Sequence, residues 1–159
     1  MAEAVYHCHE NSVVHRDLKL ENFLIDINEH TGELEVKLCD FGLAKKILPG
    51  HKRKGKAGTL VTMAPEMIVC GFYDQKVDAW SLGVILFELL TNTIPFLHKN
   101  NQVLEHMICE LDINFKQVQV EYGLSAEAVD LISKLMRKDP VARIDIEEIL
   151  KHPWLLADN

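Results

Sequence analysis

The sequence predicts a mainly α-helical domain carrying one small β-hairpin near its start. Three observations predict it. Lys76–Thr91, KVDAWSLGVILFELLT, is apolar nearly all round, which marks a helix buried in a core rather than lying on one. SAEAVDLISKLMR opens on the capping residue Ser125 and sets Val129, Ile132 and Met136 at helical spacing. NFLID (22–26) and EVKLC (35–39) read as short strands, joined by INEHTGEL with its Thr-Gly turn signal.

The remaining elements follow along the chain. Residues 1 to about 11 read as the end of a helix. Residues 43–63 hold Gly50, Gly55, Gly58 and a basic cluster, and read as a long mobile loop of the kind that carries function. From Pro65 onward the chain reads as helical. IDIEEILKHPWLL is a final amphipathic helix expected to stop near Pro153. There are no internal repeats, low-complexity segments or linkers.

At 159 residues this is one domain's worth of chain, able to bury about 70% of its unfolded surface. Hydrophobic residues at 48% and charged ones at 26% are ordinary for a globular protein. The net charge of -7 argues against a general nucleic-acid binder or a membrane-surface protein. The charge is uneven, because KKILPGHKRKGK (45–56) holds Lys45, Lys46, Lys52, Arg53, Lys54 and Lys56 and no acid. Cys8, Cys39, Cys70 and Cys109 are scattered without a CxxC, which fits reduced thiols and a cytoplasmic protein, the nucleus left open. His7, Cys8 and His9 are adjacent and point apart on a helix, so they do not converge on a metal. No basic n-region with an apolar core opens the chain, and LGVILF is too short to span a bilayer.

Three motifs occur in order: HRDLKLEN (15–22), DFG (40–42) and APE (64–66), followed by DAWSLG (78–83) and Arg143. Together they resemble the C-terminal lobe of a eukaryotic serine/threonine protein kinase, over essentially the whole chain. The resemblance implies transfer of the ATP γ-phosphoryl group to a protein serine or threonine, a reaction that rests on positioning and charge neutralisation. It implies that Asp17 orients the substrate hydroxyl and accepts its proton, and that Lys19 reaches the transferred phosphate; a lysine there is similar to serine/threonine rather than tyrosine kinases. Asn22 and Asp40 are implied as oxygen ligands of Mg2+, a site the nucleotide completes. Leu24 is implied as the floor beneath adenine, and Glu21 and Thr59 as substrate-facing. His15, Arg16, Asp78, Glu66 and Arg143 are implied as structural: Asp78 anchors the catalytic loop, and Glu66 pairs with Arg143. Trp80 and Trp154 read as core packing.

The sequence departs from the family pattern at two places. Leu20 stands where the loop usually has proline, and Thr62 stands where an aromatic is common, which bears on the substrate-facing wall. GLAKK, KDPVARI and HPWL look most like the calcium/calmodulin-dependent and calcium-dependent kinase group, although no EF-hand pattern occurs. The glycine-rich GxGxxG strand and VAIK-like lysine that clamp the nucleotide from above do not occur in these 159 residues.

The expectation is therefore a C-terminal lobe, residues 1–159, with an activation segment at 40–66 and the nucleotide-clamping N-terminal lobe absent. Alone it should transfer no phosphate. The alternative is a kinase-derived docking module without catalysis; intact Asp17, Asn22 and Asp40 favour the enzyme. The face carrying Leu24 and its neighbouring strands should be exposed and prone to self-association. Residues 43–58 contain no serine, threonine or tyrosine, so the loop should be mobile over about 46–57 and should not depend on its own phosphorylation.

Overall fold

Residues 1–27, 32–69 and 71–157 are described by the structure, a computed structural model. Helix α3 (Lys76–Thr91) organises it. Its Val77, Trp80, Val84 and Phe87 face one apolar cluster with Val14, Met67, Leu104 and Ile132. Its Ala79, Leu82 and Ile85 face a second cluster with Val5, Leu18, Leu131 and Ile149. A helix that serves two halves of a core needs apolar residues all round, which is why its sequence lacks a polar stripe. Only towards its C-terminal end does a side emerge, where Leu89 is exposed.

Helix α1 (Ala2–Glu10) precedes α3 in the chain and contributes Val5 to the second cluster. Short helix α2 (Pro65–Ile68) is followed by α3, then α4 (Asn101–Glu110), α5 (Phe115–Tyr122) and α6 (Ala126–Leu135). Asn100, Asn114 and Ser125 each cap the helix that follows by accepting backbone N–H bonds. Gly83 lets α3 and α6 approach closely, since a Cβ there would lie 2.7 Å from Leu135 Cβ.

Among the described residues, three small antiparallel sheets complete the fold. Strand β1 (Val13–Val14) pairs with β4 (Lys45–Lys46), and β5 (Arg53–Lys54) pairs with β6 (Phe72–Tyr73). The hairpin is β2 (Phe23–Ile27) against β3 (Leu34–Leu38), in the register Ile25 to Val36 and Ile27 to Leu34. Most of its Thr-Gly connector falls on 28–31, outside the described residues, as does Cys70. Among the described residues Cys8, Cys39 and Cys109 are free thiols, and no helix is long and apolar enough to cross a membrane.

The structure corrects four expectations. In α6 the buried stripe is Ala128, Leu131, Ile132 and Leu135; Val129 is only half-buried, one step off the face that meets α3. The terminal segment forms two short helices, α7 (Ile146–Ile149) and α8 (Pro153–Leu156), and Pro153 starts the second instead of ending the first. Proline suits a first helical position, where its missing N–H has no partner to lose. Loop 43–63 is pinned through β4 and β5, and Lys56 meets Glu105 of α4. Leu24 is exposed as expected, but the large apolar face expected to run through it lies on the other side of the hairpin, at Ile25, Ile27, Leu34 and Val36, because strand side chains alternate.

Candidate active site

The site is assembled around a buried carboxylate. Asp78, fully buried in the first turn of α3, accepts hydrogen bonds from the backbone N–H of His15 (2.8 Å, Oδ2) and Arg16 (2.8 Å, Oδ1). His9 Nε2 donates to the same Oδ2 at 2.9 Å. A buried carboxylate without such donors is costly. Here both oxygens are used, and they hold Arg16 at a φ of 71°, a left-handed conformation unusual for a side chain of that size. The core helix thus sets the bend that presents the next residue. Burial, and then the charge of Asp78, pushes the neighbouring Cys8 thiol up from its ordinary value.

That next residue is Asp17. Its Oδ1 accepts from both the N–H and the hydroxyl of Thr59, each at 2.7 Å. Its Oδ2 lies 3.8 Å from Lys19 Nζ. Leu18, fully buried in the second cluster, anchors the loop between them. Asn22 Nδ2 donates to the Asp17 carbonyl at 2.8 Å, which leaves the Asn22 side-chain oxygen free to ligate. The approach of Thr59 requires Gly58, at a φ of 99°: a Cβ there would sit 2.2 Å from the Arg16 carbonyl oxygen.

Asp40 is joined to this loop by the backbone. The Cys39 N–H donates to the Asn22 carbonyl at 2.9 Å, and His15 Nε2 donates to the Cys39 carbonyl at 3.0 Å. The Asp40 carboxylate is exposed and takes one long bond, 3.3 Å, from the Gly42 N–H. Phe41 meets the His15 ring edge-on at 5.0 Å.

Arg16 is hydrogen-bonded within the chain. Its Nε and Nη2 donate to the Leu43 carbonyl, and Nη1 donates to the buried Tyr73 hydroxyl at 2.8 Å. Below the segment, Arg143 forms a two-point pair with Glu66, at 2.6 and 2.9 Å. Its other N–H groups donate to the carbonyls of Lys76, Arg137 and Lys138, and its plane lies 5.2 Å over Trp80. All five guanidinium donors are thereby used.

The remaining expected residues are Leu24, Glu21 and Thr62. Leu24 is 52% exposed on the hairpin, beside the Lys37–Asp26 ion pair. Glu21 is exposed on the turn before Asn22. Thr62 is buried, donating to the Thr59 carbonyl, and its own carbonyl accepts from Ser81 Oγ at 2.7 Å; it braces the turn and forms no open wall. Sequence reasoning missed His9, Tyr73 and Ser81 as supports. Their partners lie 69, 57 and 19 residues away, so no local spacing marks them.

Asp17 gripped by Thr59, Lys19 beside it and Asp40 tied in next to Asn22 are thus brought together by one loop and its neighbouring strand. The chain belongs to the protein kinase domain family, whose model matches residues 1–155. It is 38% identical to an Aurora kinase of Dictyostelium discoideum, over 98% of this chain and 38% of that protein. It is 36% identical to an Aurora kinase of Candida glabrata, over 100% of this chain and 42% of that one. It is 38% identical to the human phosphorylase b kinase gamma catalytic chain, liver/testis isoform, over 97% of this chain and 38% of that protein. The chain spans about two-fifths of the length of these relatives.

Proposed function

We propose that this chain is the C-terminal lobe of a serine/threonine protein kinase and carries its transfer machinery. The observation that carries the reading is the asymmetric Asp17 carboxylate. One oxygen is saturated by Thr59, and the other faces Lys19 and remains open for an acceptor hydroxyl. Held at hydrogen-bond distance, that oxygen orients the hydroxyl and takes its proton as the hydroxyl oxygen bonds to the γ-phosphorus and the bond from that phosphorus to the β-phosphate oxygen breaks, releasing ADP. Lys19 offers a compact positive charge to the transferred group. Glu21 and Thr59 face the protein substrate.

The donor set fits Mg2+ and ATP. The free Asn22 side-chain oxygen and the exposed Asp40 carboxylate are hard oxygen donors on segments tied by one backbone bond. Among the described residues no three His, Cys, Asp or Glu side chains gather into a metal cluster, so nucleotide oxygens would complete the site. Asn22 and Asp40 would hold the ion, which when bound would add to Lys19 in neutralising phosphate charge. Leu24 offers an apolar surface for adenine.

We read GLAKK, KDPVARI and HPWL as a likeness to the calcium/calmodulin-dependent group. The partners we assign are a protein substrate and a nucleotide-clamping lobe seated on the hairpin; uncovered, that face drives self-association. The cytoplasm is the compartment we assign. The chain alone should transfer no phosphate.

The test joins the chain to a glycine-rich clamping lobe and follows phosphate transfer to serine and threonine peptides. Transfer should need Mg2+, fall by about 10²- to 10⁴-fold in Asp17→Ala, and vanish in Asp40→Ala. Undiminished transfer in either variant would overturn the assignment. No transfer in the unsubstituted joined protein would favour the docking module.

A further inference from the structure

The strip Lys45, Lys46, Lys52, Arg53 and Lys54 is left over once the catalytic loop is accounted for. All five are exposed. Of the six basic residues between 45 and 56, only Lys56 forms an ion pair among the described residues, with Glu105. Five unpaired cations in a chain with 24 acidic residues and a net charge of -7 run against the balance of the molecule. Like charges held close repel, so the cluster has no folding reason to exist.

Nor is the strip a loose tail. Lys45 and Lys46 are paired through their backbone with Val14 and Val13, which lead directly into the catalytic loop. Arg53 and Lys54 are paired with Tyr73 and Phe72, and Lys54 Nζ lies 5.9 Å above the Phe72 ring. Tyr73 in turn receives Arg16, the neighbour of Asp17. Five residues after Lys54, Thr59 grips Asp17 itself. Four of the five cations are therefore fixed on the same scaffold as Asp17, with Lys52 adjoining Arg53 in the chain.

Resting on the kinase reading, we infer that this strip selects protein substrates carrying a run of Asp and Glu side chains beside the acceptor hydroxyl. The chemistry favours carboxylates along an extended chain over a single phosphate. A phosphate site gathers arginine forks and backbone N–H groups on one point. Here four lysines and one arginine are spread over ten positions, with no such convergence. A spread of point charges matches a spread of carboxylates. It also raises the local concentration of an acidic segment near Asp17 in spite of the net negative charge.

The test uses the 159-residue chain without nucleotide, so its failure leaves the transfer assignment standing. Fluorescence anisotropy would follow four labelled peptides with a central serine. They are flanked by glutamates, by glutamines, by lysines, or by glutamines with one phosphoserine. The glutamate peptide should bind at least tenfold tighter than the other three and weaken as salt rises. The triple variant Lys52→Glu, Arg53→Glu, Lys54→Glu should lose that preference while keeping the unfolding midpoint of the unsubstituted chain. The milder Lys52→Gln with Lys54→Gln should weaken it partly, which separates lost recognition from lost folding. Equal binding of glutamate and glutamine peptides, or an unchanged preference in the triple variant, would overturn the inference. So would tighter binding of the phosphoserine peptide, an RNA or an anionic vesicle through the same residues.

Discussion

Thr59 shows how one side chain couples the two halves of the site. Its hydroxyl and N–H both fix Asp17 Oδ1, so Thr59→Ala removes one of two bonds to a carboxylate. A hydrogen bond to a charged group contributes about 1.5–3 kcal/mol, which corresponds to roughly a ten- to hundredfold loss. In the joined kinase kcat should fall by that factor, with Thr59→Ser restoring most of it; an unchanged kcat would show that the threonine grip does not matter. Glu66 makes a different case. Glu66→Gln leaves the fully used Arg143 guanidinium buried with a neutral partner. Breaking such a pair costs about 3–5 kcal/mol, measurable as a lower urea midpoint. The residues we propose for the chemistry were legible in the sequence because the motifs place Asp17, Asn22 and Asp40 within 24 positions. Supports such as His9 and Tyr73 were not, since only the fold brings them to Asp78 and Arg16.

At the scale of elements, α3 was legible because its burial on all sides writes itself into composition. The face of α6 was not, because Val129 and Leu131 are equally apolar and only packing against Gly83 selects the phase. That contact yields a prediction against helix propensity. Alanine is a better helix former than glycine by about 1 kcal/mol. Gly83→Ala nevertheless drives a methyl into Leu135 and Met136, at 2.7 and 2.8 Å. Overpacking costs about 1–3 kcal/mol, so the variant should be less stable than the unsubstituted chain by chemical denaturation. A rise in stability would show that the two helices move apart freely.

Helices α6 and α8 are also joined electrostatically. His152 Nδ1 accepts from the Trp154 N–H at 3.3 Å, so its Nε2–H is the donor that reaches Asp130 Oδ2 at 3.0 Å. Lys134 first, and His152 after it, hold the Asp130 carboxyl below the usual carboxylate range against the opposing effect of burial. A depressed carboxylate stabilises the fold above its unfolded pKa, about 3.9. That contribution is lost as pH falls through the lower folded value. Asp130 is half exposed, so screening limits it to about 0.5 kcal/mol. Asp130→Asn should therefore lower the urea midpoint slightly at neutral pH and converge with the unsubstituted chain in acid. Curves that stay parallel down to acid pH would show that the carboxylate charge is not the cause.

For the molecule as a whole, the hairpin is the part left unfinished. Phe23 and Leu38 root it in the lobe, but beyond them Ile25, Ile27, Leu34 and Val36 share one face and are all exposed, Ile25 to 72%. The opposite face is held by the Lys37–Asp26 pair and is content in water, leaving Leu24 as its one large apolar residue. A two-stranded hairpin is marginal by itself and gains stability only when its apolar face is covered. The sequence announced strands here but pointed to Leu24 and not to Ile25 for the open face, because NFLID alternates imperfectly. Two strands at an edge with one uncovered apolar face should draw a second surface onto them. In the 159-residue chain that surface is a second copy, and sedimentation velocity should show a weight-average mass rising with concentration. Ile25→Lys together with Leu34→Lys places charge on that face without touching the core or Asp17, so the variant should sediment as a monomer. Adding a clamping lobe should suppress association in the unsubstituted chain by occupying the same strands. If the unsubstituted chain stays monomeric at its highest attainable concentration, or the double variant associates equally, the hairpin face is not what the molecule covers.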